Sequence, residues 1–119
     1  MVNFKVDDLS EMNERLRAFA EFLRGESVTE DDVFASRIVS CELISNVIIH
    51  GGGAADFRGE LLADAIKIEV RAAGFEGVDI CPPLPDVLAE NGRGMYIVRS
   101  ICTLVEKTDT GIRVVIKRG

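Results

Sequence analysis

Ser40-Cys41-Glu42-Leu43-Ile44-Ser45-Asn46-Val47-Ile48-Ile49-His50-Gly51-Gly52-Gly53 is the stretch on which the reading of this 119-residue chain turns. At about 100° per residue, Glu42, Asn46 and His50 lie one above another on one face of a helix, four residues apart. Leu43, Ile44, Val47 and Ile48 cover the adjoining faces, and so apolar a surround places Glu42 and Asn46 in a cleft rather than in open solvent. The glycines that follow end the helix. A carboxylate one turn before a carboxamide offers a general base beside an oxygen ligand for a hard cation such as Mg²⁺. Spacing alone leaves the plainer alternative open, a polar stripe on a half-exposed helix.

Outside this stretch, composition narrows the field. A chain of this length with 47% hydrophobic residues reads as one domain, residues 1–119, with a substantial core. Trp is absent and Tyr occurs once, so aliphatic side chains carry most of the packing. A formal net charge of -6 and a pI near 4.8 argue against a nucleic-acid backbone or an anionic membrane as partner. Three cysteines without a Cys-x-x-Cys pair, and His50 as the sole histidine, argue against a zinc site or a disulfide framework. The N-terminus lacks a basic start with an apolar core, and no apolar run is long enough to span a bilayer, so the expectation is a cytoplasmic protein.

In chain order, Val2, Phe4 and Val6 alternate with polar residues and predict a short edge strand. Asp8 with Glu11 resembles a capping box, and Leu9, Met12, Leu16, Phe19 and Leu23 then form a narrow helical seam ending near Gly25. Thr29 and Asp32 are a second capping-box pattern, opening the organising helix at about residue 30. Residues 51–59 read as a loop, and 60–65 are ambiguous between strand and helical turn. Ile66, Ile68 and Val70, then Val78 and Ile80, alternate about Gly74 and Gly77, which predicts a hairpin whose second strand ends at Asp79. Cys81-Pro82-Pro83-Leu84-Pro85 cannot continue a central strand.

Gly92-Arg93-Gly94 leads into Met95, Val98, Ile101 and Cys102 at helical spacing. Glycines at a helix start let the backbone approach an anion, and the free N–H groups there favour phosphate; a tight turn is the plainer alternative. Leu104 to Lys107, a turn at Asp109-Thr110-Gly111 and Ile112 to Lys117 predict a closing hairpin. The whole is an α+β two-layer sandwich, a mixed, mostly antiparallel sheet with three helices on one face.

Glu42-x-x-x-Asn46, a strand ending at Asp79, and Gly92-x-Gly94 opening a helix together resemble the histidine kinase-like ATPase superfamily of gyrase, heat-shock chaperones and histidine kinases, whose fold is of the Bergerat type. Within it, Glu42-Leu43-Ile44-Ser45-Asn46-Val47-Ile48-Ile49-His50-Gly51 and Gly92-Arg93-Gly94-Met95-Tyr96-Ile97-Val98-Arg99-Ser100 are similar to boxes of the anti-sigma factor family of serine kinases. By element order the resemblance spans residues 2 to 118; only these boxes are specific. It implies ATP and Mg²⁺ as cofactors, Glu42 as catalytic base, and Asn46 as metal ligand at the nucleotide. It further implies Asp79 on the adenine amino group, and Gly92, Arg93 and Gly94 against the phosphates. The implied partners are a sigma factor and an anti-sigma factor antagonist bearing the acceptor serine or threonine, with a homodimer through the sheet face near Phe4 and the Leu9 to Leu23 helix. His50 reads as structural, closing its helix.

The chain departs from that family at three places. The first glycine box, Asp-x-Gly-x-Gly, would read Asp79-Ile80-Cys81-Pro82-Pro83, with neither glycine kept. A rival alignment uses Gly74 but puts Ala72 at the aspartate; the alternating hairpin favours Asp79. The lid between Asp79 and Gly92 is short, and Ile112 stands where the family often has a threonine, although Ile neither donates nor accepts a hydrogen bond. These departures motivate the alternative of a catalytically weakened or inactive member acting as a protein-binding regulator.

Overall fold

The computed structural model describes residues 1–51, 54–72 and 93–119, with the backbone alone for residues 49–51 and 93–95. The elements are β1 (Val2–Val6), α1 (Leu9–Gly25), α2 (Glu30–Gly51), β2 (Ala55–Leu61), β3 (Ala65–Arg71), α3 (Arg93–Ile101), β4 (Leu104–Lys107) and β5 (Gly111–Lys117). The strands form one sheet in the order β1-β2-β3-β5-β4, and every pairing among them is antiparallel. No helix among the described residues is long and apolar enough to cross a membrane.

Period-two alternation sorts the sheet into two faces. Phe57, Ile66, Ile68, Val70, Ile112, Val114 and Ile116 are buried in one core with Leu16, Phe19 and Leu23 of α1, Val39, Leu43, Ile44 and Val47 of α2, and Val98 of α3. All three helices therefore cover one face, a two-layer α+β arrangement. Phe57 anchors the β1 end of the core, stacked on Phe4 with ring centroids 4.4 Å apart and meeting Phe19 edge-on at 5.1 Å. The opposite face is charged: Glu69 Oε2 accepts from Arg113 Nε at 2.9 Å, and Glu106 Oε1 from Arg113 Nη1 at 2.8 Å. Phe4 faces the core rather than that surface, so an apolar pairing of two copies through the sheet has no aromatic contribution from it.

The helix boundaries follow from their caps. Asp8 Oδ1 accepts from the backbone N–H groups of Ser10 and Glu11, at 2.9 and 3.3 Å, and Thr29 Oγ1 accepts from the Asp32 N–H at 3.3 Å. The α1 seam is buried from Met12 to Leu23, whereas Leu9, in the first turn, is 42% exposed. At the other end Ser27 N–H bonds to Arg24 C=O (3.0 Å) and Val28 N–H to Leu23 C=O (3.1 Å), a Schellman closure with Ser27 at φ 63°. That left-handed position favours glycine, because a Cβ there meets the neighbouring carbonyl. Ser27→Gly is accordingly expected to raise unfolding free energy by about 0.5–1 kcal/mol, read as a higher urea midpoint at unchanged slope.

Two sequence expectations change. Residues 55–59 are strand, not loop: Ala55, Phe57 and Gly59 point inward, and two of the three inward residues are too small to register as an apolar alternation. Gly59 is small for a reason, since a Cβ there would lie 2.5 Å from Cε1 of the buried Phe19 ring. The hairpin expected from Ile66 to Ile80 is also replaced. β3 pairs with β2 along one edge (Phe57↔Val70) and with β5 along the other (Val70↔Ile112), so both of its edges are filled by strands other than residues 78–80. Residues 78–80 lie outside the described residues.

Candidate functional site

The buried stripe of α2, Val33, Ser36, Val39, Ser40, Leu43, Ile44 and Val47, faces the sheet. At about 100° per residue, Glu42 and Asn46 flank that stripe on one side and Cys41 and Ser45 on the other. The second flank belongs to α1, where Ser45 Oγ lies 3.8 Å from Met12 Sδ. Glu42 and Asn46 are half-buried and one turn apart, and Glu42 also borders the space between α2 and Asn13 and Leu16 of α1. A half-buried carboxylate beside a carboxamide is an arrangement that can take a proton and hold a hard cation.

Chain connections bring other polar groups to the same end of the sheet. Only residues 52–54 separate α2 from β2, and the β2 start pairs with the β3 end (Asp56↔Arg71), which pairs in turn with the β5 start (Arg71↔Gly111). The last turns of α2 therefore lie over this end. At its C-terminus α3 is joined by two residues to the β4 start, which pairs at the far end of β5 (Leu104↔Val115), while β4 finishes beside Ile112. Packed back along α2 and β4, α3 rises about 13 Å over its nine residues, as β4 does over four, so its N-terminus at Arg93 returns to the Asn46 end. Helix N-terminal N–H groups at that point favour an anion.

The floor at this end is apolar. Ala72, the first residue after β3, is 4% exposed, with its N–H on the Thr110 carbonyl at 2.9 Å; Val70 and Ile112 are fully buried. The central strand β3 thus ends at Arg71, with Ala72 next to it, and the strand expected to end at Asp79 lies outside the described residues. The filled edges of β3 also remove the hairpin argument that favoured Asp79 over the alignment through Ala72. Asp79, Cys81, Pro83 and Gly92 lie outside the described residues. Arg93 and Gly94 are the first two residues of α3, and His50 is the penultimate residue of α2.

Between α1 and α2 runs a groove of about 280 Å³ lined by Leu16, Ile38 and Cys41, with Asn13, Phe34, Arg37 and Glu42 at its margins. These residues went unnoticed in sequence because α2 already shows a full apolar face toward the sheet. A second seam was nevertheless legible, Phe34, Ile38 and Cys41 at i, i+4 and i+7.

Two of the thiols, Cys41 and Cys102, are held in the protonated form. Burial, then the Glu42 charge, pushes the Cys41 thiol up, and burial pushes Cys102 up to about 12. Iodoacetamide at pH 8 should alkylate both far more slowly than a free peptide cysteine, a comparison that mass spectrometry reads site by site. Among the described residues no three His, Cys, Asp or Glu side chains gather as a metal-ligand set. A Mg²⁺ held here would have Asn46 as its described protein ligand and depend on phosphate and water for the rest of its shell.

No protein-family model matches the chain, and no curated protein matches it.

Proposed function

We propose that this chain is a cytoplasmic, ATP- and Mg²⁺-binding regulator of the anti-sigma factor type, of histidine kinase-like ATPase fold, that phosphorylates a serine or threonine of an antagonist protein. One observation carries the reading: Glu42 and Asn46 lie half-buried and one turn apart on one flank of α2, at the sheet end to which the α3 N-terminus returns. The nucleotide would supply the γ-phosphoryl group, with Mg²⁺ offsetting its charge. Glu42 would take the proton of the acceptor hydroxyl as its oxygen bonds to the γ-phosphorus and ADP leaves, Asn46 would hold the cation, and the N–H groups opening α3 at Arg93 and Gly94 would hold phosphate. On the resemblance, Gly92 would add to the phosphate contact and Asp79 would make the adenine contact; both lie outside the described residues.

A second reading, a weakened or inactive member that binds a sigma factor or antagonist, is favoured by that floor. Val70, Ala72 and Ile112 offer adenine no side-chain hydrogen-bonding group. One missing hydrogen bond to a base costs about 1–3 kcal/mol, roughly 5- to 150-fold in affinity.

Calorimetric titration with ATP and ADP, with and without Mg²⁺, tests both. Micromolar, Mg²⁺-dependent binding, about -8 kcal/mol, that Asn46→Ala abolishes is the expected result. Heat absent at millimolar nucleotide from folded protein would overturn nucleotide binding and leave the regulator reading. Ala72→Asp then separates a base-deficient pocket, in which affinity rises about tenfold or more, from one that holds adenine elsewhere, in which it does not.

A further inference from the structure

We propose that the groove between α1 and α2 seats the hydroxyl-bearing segment of the protein substrate, with an apolar side chain against Phe34 and Ile38 and a carboxylate beside Arg37. The hydroxyl of the segment and the role of Glu42 rest on the kinase reading; the apolar and Arg37 contacts do not. Phe34 is 67% exposed, the most exposed of the large apolar side chains described, and it lies at one end of a groove whose floor includes the buried Leu16 and whose other end is Glu42. A scattered surface aromatic needs no explanation, but one continuous with an apolar groove marks a place where a partner side chain can leave water.

Charge sets what kind of partner fits. Arg37 is exposed and makes no ion pair among the described residues, whereas Arg24 pairs with Glu30, and Arg113 with Glu69 and Glu106. It lies about 140° round the helix from Glu42, at the opposite margin of the groove. On a chain of net charge -6 an acidic segment is repelled in most registers, so a carboxylate that finds Arg37 fixes the register by exclusion elsewhere as well as by attraction. Eight residues of helix from Phe34 to Glu42 span about 12 Å, the reach of three to four extended residues. The substrate is therefore a segment with Leu, Ile or Phe three or four residues from its serine or threonine, and Asp or Glu about two residues from it.

A positional-scanning array of serine peptides tests this in two arms, phosphorylation from labelled ATP and retention of fluorescently labelled protein. Wild type is expected to select those residues at those offsets in both arms. Phe34→Ala should lower the apolar preference about tenfold, and Arg37→Glu should exchange the acidic preference for Lys or Arg, both variants unfolding thermally like wild type. Preferences unmoved by either variant, or no peptide retained by wild type, would overturn the proposal. Retention with the expected preferences but without phosphorylation supports the groove and sinks the kinase reading; phosphorylation with preferences that ignore both variants does the reverse.

Discussion

Gly111→Ala is expected to remove most of the stability of the fold, by about 4 kcal/mol or more, enough to leave a domain of ordinary stability largely unfolded. Gly111 begins β5 directly opposite Arg71, and a Cβ built on it falls well inside contact distance of the Val70 carbonyl oxygen, with Arg71 Cα at 2.8 Å. Both obstacles are backbone of the central strand β3, which is paired on its other edge to β2, so neither can retreat without opening a ladder. The glycine is needed for close approach, not for an unusual backbone angle. Urea unfolding followed by circular dichroism reads the effect, and two other glycines calibrate it. At Gly59 the obstacle is the ring of Phe19, which can shift at a cost of about 1–3 kcal/mol. Nothing lies within 4 Å of a Cβ at Gly25, where Ala should be neutral or slightly stabilising. The order Gly111, Gly59, Gly25 is the expectation; a Gly111→Ala variant as stable as Gly25→Ala would contradict the β3–β5 register.

The same residues explain what was legible in the sequence. Helices were, because caps and seams are local: Thr29 ahead of Glu30-Asp31-Asp32 and the Met12 to Leu23 seam each declare an element within a few residues. The closing hairpin was legible because Asp109-Thr110-Gly111 sits between alternating runs. Pairing of β3 was not, since alternation in Ile66, Ile68 and Val70 says that a strand exists and is silent on which strand lies beside it. β2 was hidden because Gly59 had been made small for Phe19, forty residues earlier, a tertiary reason that no window of sequence contains.

That difference bears on the candidate site. Glu42 and Asn46 were found because their chemistry and spacing lie within one helix turn. The residue at the end of the neighbouring strand depends on which strands pair with β3, and both edges of β3 are taken by β2 and β5 rather than by the strand expected to end at Asp79. The phosphate and metal side of the site rests on local signals, and the base side on a long-range one. Function can weaken at the base side while Glu42 and Asn46 remain, so a regulator with slow turnover and a committed kinase differ less in α2 than in what lies beyond Arg71.

Glu42→Gln separates these most directly. The change keeps shape and hydrogen-bonding capacity on an α2 flank outside the packed core, so the variant should fold as wild type does. What it removes is a group able to accept the acceptor hydroxyl proton, and general-base contributions are about 100- to 10,000-fold in rate, or roughly 3–5 kcal/mol of barrier. Single-turnover transfer from labelled ATP to a serine-bearing antagonist should fall by that factor, with nucleotide affinity nearly unchanged because the base acts on the acceptor rather than on the bound phosphates. Asn46→Ala should show the complementary pattern, losing Mg²⁺-dependent affinity first and rate as a consequence. Transfer by Glu42→Gln within twofold of wild type would take the base away from α2. Absence of transfer in wild type, with antagonist binding intact, would assign Glu42 to the margin of a docking groove, where its charge orients a partner and performs no chemistry.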